Sequence, residues 1–245
     1  MTSLRQCYRD QVVAIMDRVL AEDAAALDAA RDALADCLRA GGLIHVAGSG
    51  HSHLLALEVF YRAGGIAAAQ AILDEDLMLH RGAQRSTVLE RESGRAEAAL
   101  QRAGVRGGDV VIVVSNSGRN AFPVELAMHA KAAGAMVIAL TSRRHVAGVS
   151  SRHPSGRLLP DLADIVLDNG GVPGDAGLPV PGHPAPMGPT STIMGVFLLN
   201  ALLAEAVSLL AAEGVMIDVW RSANSAEGDN SAELIARWRE RVHGL

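Results

Sequence analysis

Residues 110–120 read VVIVVSNSGRN, five β-branched residues followed directly by serines, asparagines and a glycine. A short, continuous apolar run of this kind is typical of a strand that is buried on both faces of a parallel sheet. Apolar residues resume at helical spacing after the polar turn, beginning with Phe122 and Leu126. The segment therefore predicts a buried strand at 110–114, a polar turn and a helix over 120–133.

The same alternation of apolar runs and amphipathic segments extends along most of the chain. Residues 2–40 contain no glycine or proline and fit one long helix or two successive helices, whereas 168–189 is rich in both residues and predicts a long irregular segment. Further strands are expected at 43–47, 66–73, 136–140 and 165–167, and further helices at 52–63, 95–104 and 191–213. Together they predict an α/β fold, a three-layer sandwich around a doubly wound, five-stranded parallel sheet with a long N-terminal helical segment.

Composition limits the partners that this chain can have. The 22 lysines and arginines against 27 acidic residues give a net charge of −5, and the sequence holds no basic tract of five or more residues, so a nucleic-acid partner is not expected. Two cysteines do not make a disulfide framework. Without a signal-peptide core or an uninterrupted apolar stretch of membrane length, we expect a cytoplasmic protein with no membrane partner.

Three predicted helices begin in polar, glycine-containing turns: GSGHSH at 48–53, SNSGRN at 115–120 and GPTST at 188–192. Each turn alone is explained by helix capping. Free N–H groups and the positive end of a helix also attract anions, and three hydroxyl-rich turns in one sheet domain predict a shared phosphate site. The first turn lacks the third glycine of a dinucleotide-binding motif and the chain has no GxxxxGK[ST] motif, so no cofactor is expected.

These segments, taken in order, resemble the SIS (sugar isomerase) domain family over about residues 35–215. The residues that carry the resemblance are GSGHS, SNSGRN, LPDLADIVLDN at 159–169 and GPTST. The strings EVFYRAGG, SRHPSGR and DNGGVPGDA are similar to one subgroup of SIS proteins, and PTST is similar to the arabinose 5-phosphate isomerase branch.

The resemblance implies a flavodoxin-like five-stranded sheet and a homodimer or homotetramer with phosphosugar sites between protomers. It implies a single SIS domain over 1–245, with N-terminal helices at 1–40, the core at 41–214 and a C-terminal extension at 215–245. It also implies that Ser49, Ser115, Ser117 and Thr190 or Ser191 bind the phosphate or hydroxyls of the sugar. The complete candidate set for ligand binding is Gly48, Ser49, Gly50, Ser52, Ser115, Asn116, Ser117, Gly118, Asn120, Thr190, Ser191 and Thr192.

Isomerisation of an aldose to a ketose needs a base that moves a proton between adjacent carbons. Many SIS enzymes place a glutamate ten residues past a serine of the first turn, and counting from Ser52 that position is Arg62. The nearest carboxylate is Glu58, one helical turn earlier. We therefore predict Glu58 as the base, with a surface Glu58–Arg62 ion pair as the alternative.

For the acid or ring-opening role we predict His51 first and His80 second, with Glu90 as a reserve carboxylate. The pair His51 and His53 does not predict a metal site, because a zinc site needs three or four converging ligands and helical side chains two residues apart point in different directions.

The function expected from this evidence is aldose–ketose isomerisation of a sugar phosphate. One alternative is a non-catalytic sugar-phosphate sensor or binding module, which Arg62 favours because it replaces the usual glutamate. The other alternative is a lyase or etherase that acts on an amino-sugar phosphate.

Overall fold

The computed structural model describes residues 3–222, 224 and 228–245. The helices are α1 (Leu4–Glu22), α2 (Ala24–Arg39), α3 (His53–Val59), α4 (Ala83–Leu89), α5 (Ala96–Arg102), α6 (Ala121–Ala132), α7 (Arg143–Val146), α8 (Ser191–Ala212) and α9 (Ser231–Trp238). The strands are β1 (Ile44–Gly48), β2 (Ala69–Ile72), β3 (Val110–Val114), β4 (Met136–Thr141), β5 (Ile165–Asp168), β6 (Ala176–Leu178) and β7 (Met187–Pro189).

The predicted five-stranded parallel sheet is confirmed, with the strand order β2-β1-β3-β4-β5. Alternate residues of β3 face opposite layers: Ile112 packs with α2, α3 and α8, and Val111 with α5 and α6. Helices therefore cover both faces of the sheet, as the three-layer prediction requires. The strand order reverses between β1 and β3, and this switch point is where ligands bind in open parallel sheets.

The N-terminal segment forms two helices, α1 and α2, which are separated by Asp23. The buried Asp23 carboxylate accepts a hydrogen bond from the backbone N–H of Asp168 at 2.9 Å and pairs with Arg143 at 2.7 Å. Both partners lie at the carboxyl edge of the sheet, so the corner between α1 and α2 is fixed to that edge.

Helix α3 is shorter than predicted. It ends at Val59, and Tyr61 follows in the left-handed region with φ +43°. The Tyr61 ring contacts the Trp220 ring edge-on at 4.9 Å between centroids, and the Trp220 carbonyl accepts a hydrogen bond from the Gly64 N–H at 2.9 Å. Because these partners come from the far end of the chain, local periodicity could not show where α3 ends.

The segment 168–189 is partly regular, in contrast to the prediction. Strands β6 and β7 form a separate antiparallel hairpin in which Leu178 pairs with Met187. The Tyr8 hydroxyl of α1 donates a hydrogen bond to the Pro189 carbonyl at 2.6 Å. The hairpin is therefore anchored to the N-terminal helix just before α8 begins.

Helix α8 is the apolar helix of the layer that also contains α2 and α3. It is the one helix of the described chain with the length and composition to cross a membrane; its most apolar 18-residue window has a mean hydropathy of 2.1 and is 44% buried. A methyl group at Gly195 would lie 2.2 Å from Leu55 Cδ2, so the glycine permits close contact between α8 and α3. The N-terminus of α8 lies beside the carboxyl ends of β3 and β4, where Ser191 and Thr192 share a cavity with Val114 and Leu140.

Candidate functional site

Residues from all three predicted polar turns line one narrow cavity at the carboxyl edge of the sheet. We call it the strand-end cavity; its volume is about 30 Å³. The residues that line it are His51, Ser52, Leu55, Val114, Asn116, Leu140, Asn169, Ser191 and Thr192. The structure thus brings together several predicted ligand-binding residues that are far apart in the sequence.

The turn after β1 depends on close backbone packing at Gly48. A methyl group there would lie 2.4 Å from Ser52 Cβ and 3.0 Å from the Val114 carbonyl oxygen. No side chain larger than hydrogen fits without a shift of the backbone. Gly48 therefore lets Ser52 approach the end of β3.

The turn after β3 is held by the turns after β4 and β5. The Asn116 side-chain oxygen accepts a hydrogen bond from Asn169 Nδ2 at 2.9 Å, and the Asn116 carbonyl accepts one from the Ser142 N–H at 3.1 Å. The Ser115 hydroxyl oxygen accepts from the Gly118 N–H at 3.2 Å, whereas Ser117 is half-buried. Asn169 was not among the predicted site residues, although it belongs to the LPDLADIVLDN segment.

Glu90, expected only as a reserve carboxylate, joins the turns on either side of the switch point. Its Oε2 accepts a hydrogen bond from Ser49 Oγ at 2.6 Å, and its Oε1 accepts one from Asn120 Nδ2 at 2.5 Å. Its backbone carbonyl accepts from the Phe122 N–H at 3.0 Å, in the first turn of α6. Two predicted phosphate- or hydroxyl-binding side chains, Ser49 and Asn120, are therefore already hydrogen-bonded to a carboxylate.

Three arginines lie near this bridge, namely Arg91, Arg119 and Arg152. Arg152 Nη1 donates a hydrogen bond to Asn120 Oδ1 at 2.9 Å, and the Arg152 N–H donates to the Arg119 carbonyl at 2.8 Å. Partial burial and the positive charges of Arg119 and Arg91 lower the pKa of Arg152, while Glu90 acts in the opposite direction. Within the described chain no carboxylate lies within ion-pair distance of these three guanidinium groups, so the region is positive in a protein of net charge −5.

The N-terminus of α8 is also occupied by a carboxylate of this chain. Asp175 Oδ1 accepts hydrogen bonds from the Thr190 N–H at 3.1 Å and the Ser191 N–H at 2.9 Å, and Oδ2 accepts from Ser191 Oγ at 2.6 Å. Asp175 has φ +67°, a conformation that aspartate tolerates better than most residues. The Thr190 hydroxyl is buried and has no hydrogen-bond partner in the described structure.

Glu58, the predicted base, lies elsewhere. It pairs with Arg62 and accepts a hydrogen bond from Asn200 Nδ2 at 2.9 Å. It lines a different cavity of about 340 Å³ between α3 and α8, whose other walls include Val207 and Val219. The structure thus contains the Glu58–Arg62 pair and does not bring Glu58 to the strand-end cavity.

The predicted histidines lie on a second side of the β1 turn. His51 lines both the strand-end cavity and a neighbouring cavity of about 260 Å³, which His53 and the exposed His80 also line. His53 is buried, its Nε2 has no partner in the described residues, and burial lowers its pKa from the ordinary value of 6.5. Across residues 3–222, 224 and 228–245, no group of three or more His, Cys, Asp or Glu side chains is arranged to hold a metal ion.

Comparisons with known proteins agree with this architecture. A sequence model of the SIS domain matches residues 7–142. A UPF0309 protein of Listeria innocua is 40% identical over 236 residues, which is 96% of each chain. A phosphoheptose isomerase from Neisseria gonorrhoeae has a TM-score of 0.56 at 20% identity, covering 83% of this chain and 96% of its own. The Vibrio vulnificus NanR protein complexed with ManNAc-6P has a TM-score of 0.51 at 15% identity, covering 97% and 70%.

Proposed function

This chain belongs to the SIS-domain family and, within it, to the UPF0309 proteins, and we propose that it binds a sugar phosphate at the carboxyl edge of its sheet and isomerises it between aldose and ketose. The observation that carries the proposal is the strand-end cavity, where Ser52, Asn116 and Thr192 converge from three separate turns. One fold neighbour is a phosphoheptose isomerase and another was solved with ManNAc-6P, and we extend that ligand class to this chain.

The size of the strand-end cavity determines how such a ligand would bind. Its volume of about 30 Å³ is far below the roughly 300–1,000 Å³ of typical ligand pockets, so it can hold only one small polar group of such a ligand. A sugar phosphate would place one group there and lie with its remaining atoms over the turns after β1 and β3. The hydroxyl, amide and backbone N–H groups of those turns suit both phosphate oxygens and sugar hydroxyls.

We further propose a homo-oligomer in which sites lie between protomers of a cytoplasmic protein. The support is the outward face of α3, where Leu54 is 47% exposed and Leu57 is 45% exposed in the isolated chain. Both line the same cavity as His51 and His80. A second protomer on this face would bury apolar surface and close the site beside His51.

Solvent exchange distinguishes the isomerase from its alternatives. The protein is incubated in D₂O with hexose, pentose, heptose and N-acetylated amino-sugar phosphates, and deuterium at the carbon beside the carbonyl is followed by NMR. Exchange with conversion supports an isomerase. Binding without exchange or product supports the sensor, and release of a substituent supports the lyase or etherase.

Two variants connect the activity to this site. Ser52→Ala and Asn116→Ala remove polar groups from the strand-end cavity, and we expect each to weaken sugar-phosphate binding about tenfold, the effect of one lost charge-assisted hydrogen bond. Ser93→Ala removes an exposed hydroxyl and serves as the control. Equal affinity in all three variants would place the ligand elsewhere.

A further inference from the structure

We propose that Glu90 is the base that moves the proton during isomerisation. This inference rests on the function proposed above and names the residue that performs its central step. It differs from the sequence-based prediction, which assigned that step to Glu58.

Glu90 lies between the turns that follow β1 and β3. It is half-buried, and its two carboxylate oxygens contact Ser49, directly after β1, and Asn120, at the start of α6 after β3. These two residues lie on the two sides of the switch point, where a parallel sheet binds its ligand. The carboxylate therefore lies between side chains that the ligand itself is expected to contact.

Hydrogen bonds hold both the backbone and the side chain of Glu90 in place. Its backbone carbonyl accepts the Phe122 N–H at 3.0 Å, and both carboxylate oxygens are hydrogen-bonded, so backbone and side chain are fixed relative to the ends of β1 and β3. Proton transfer from carbon requires a base held close to one carbon atom. Glu58 instead contacts Arg62 and Asn200 in the cavity between α3 and α8.

Positively charged side chains lie near the Glu90 carboxylate. Arg152 and the Glu90 carboxylate are both hydrogen-bonded to the Asn120 side chain. Partial burial and the positive charges of Arg119 and Arg91 lower the pKa of Arg152. Removal of a proton next to a carbonyl places negative charge on the carbonyl oxygen. Fixed positive groups stabilise that charge without reorganisation, so these guanidinium groups complement the intermediate.

The proposed step balances within the open-chain sugar. Glu90 accepts the proton from C2 of the aldose, the C2–H bond breaks, and the electron pair forms the C1–C2 double bond of an enediolate with the negative charge on O1. The O2 proton is transferred to O1, for which His51 at the cavity is the candidate shuttle. Glu90 then returns its proton to C1, so that C2 is oxidised to the ketone as C1 is reduced, without an external redox partner.

The test compares three single glutamine variants by solvent exchange and by calorimetric binding of the sugar phosphate that the wild-type protein converts. In Glu90→Gln, the side-chain oxygen can accept from Asn120 and the amide can donate to the Ser49 hydroxyl, which also accepts hydrogen bonds. We expect binding within threefold of wild type and an exchange rate lowered about 10²- to 10⁴-fold, the usual contribution of a positioned base. Glu92→Gln, an exposed neighbour, and Glu58→Gln are expected to keep wild-type exchange.

Each other outcome has a defined meaning. Exchange at the wild-type rate in Glu90→Gln, or loss of exchange in Glu58→Gln alone, overturns the assignment while the isomerase proposal stands. Wild-type protein that binds but never exchanges any sugar phosphate refutes the isomerase proposal, and the role of Glu90 falls with it. If Glu90→Gln does not fold, Glu90→Asp is measured instead, because aspartate keeps the negative charge but its carboxylate lies one methylene group further from the substrate. Solvent exchange at the wild-type rate in a folded Glu90→Asp protein overturns the proposal.

Discussion

Replacement of Asp175 by asparagine should lower the stability of the protein and strengthen its binding of phosphate. Asp175 accepts three hydrogen bonds at the N-terminus of α8, where phosphate binding was predicted from the sequence. Asparagine tolerates the same positive φ and retains an acceptor for the two backbone N–H groups. The substitution therefore removes mainly the negative charge.

The two effects have different magnitudes. A carboxylate at a helix N-terminus contributes about 0.3–1 kcal/mol, and 1 kcal/mol shifts the Tm of a domain of this size by about 2–4 °C, so we expect Asp175→Asn to melt about 0.5–4 °C lower. A ligand phosphate about 4 Å from Asp175 is opposed by about 1 kcal/mol even at the dielectric constant of water. Removal of that repulsion should lower the Kd of phosphate roughly fivefold.

Thermal unfolding and phosphate titration by calorimetry measure both effects on the same sample. Asp229→Asn is the matched control, because Asp229 caps the start of α9 through the Ser231 N–H at 2.8 Å and lies outside the set of residues that line the strand-end cavity. It should lower the Tm without a change in affinity. An Asp175→Asn protein that melts lower and binds phosphate with unchanged or weaker affinity would show that the phosphate does not lie at the N-terminus of α8.

Two further predictions concern packing and pH. Gly195→Ala places a methyl group 2.2 Å from Leu55 Cδ2, so a destabilisation of about 1–3 kcal/mol from overpacking should exceed the gain of about 1 kcal/mol in helix propensity. In urea unfolding, Leu55→Ala should then lower the free energy of unfolding less in the Gly195→Ala protein than in the wild-type protein. Strictly additive effects of the two substitutions would contradict the contact. Burial lowers the pKa of His53 from 6.5. Burial raises the pKa of Asp109, but hydrogen bonds from His45 and from two backbone N–H groups outweigh this effect, so the pKa of Asp109 lies below its ordinary value of 3.8. Because the unfolded chain then binds more protons than the folded one, stability should fall as the pH drops below about 6.5 and fall again below about 4. His53→Asn, measured by thermal unfolding across pH, should flatten the upper part of this dependence, and an unchanged slope would refute the assignment.

The sheet could be predicted because each of its strands is encoded locally. Five consecutive β-branched residues in 110–114 can scarcely form anything but a buried strand, and the structure has β3 at those residues. The end of α3 was missed because Tyr61 leaves the helix to contact Trp220, 159 residues further along the chain. Contacts of that range leave no periodic trace in the sequence.

In the candidate site, too, the features encoded by local sequence could be predicted and those fixed by long-range contacts could not. The polar turns were visible because each follows an apolar run, and the strand-end cavity collects residues from all three. The sequence marks Glu90 only as a reserve carboxylate, because its contact with Ser49 spans 41 positions and leaves no local pattern. Spacing along α3 predicts Glu58, and the structure places this side chain against Arg62 and Asn200 in the cavity between α3 and α8. Spacing alone does not show which side of a largely apolar helix faces a ligand.

The contact between Tyr61 and Trp220 connects the C-terminal segment to α3, the helix that begins at the candidate site. Residues at the start of α3 line the strand-end cavity, while the chain after its last turn is held through Tyr61, Gly64 and the Ile66–Val219 bridge. The left-handed conformation of Tyr61 is unfavourable by itself, and it persists because the segment around Trp220 holds it in place. We therefore expect this C-terminal segment and α3 to open together, and hydrogen exchange in the two segments should report a common opening energy.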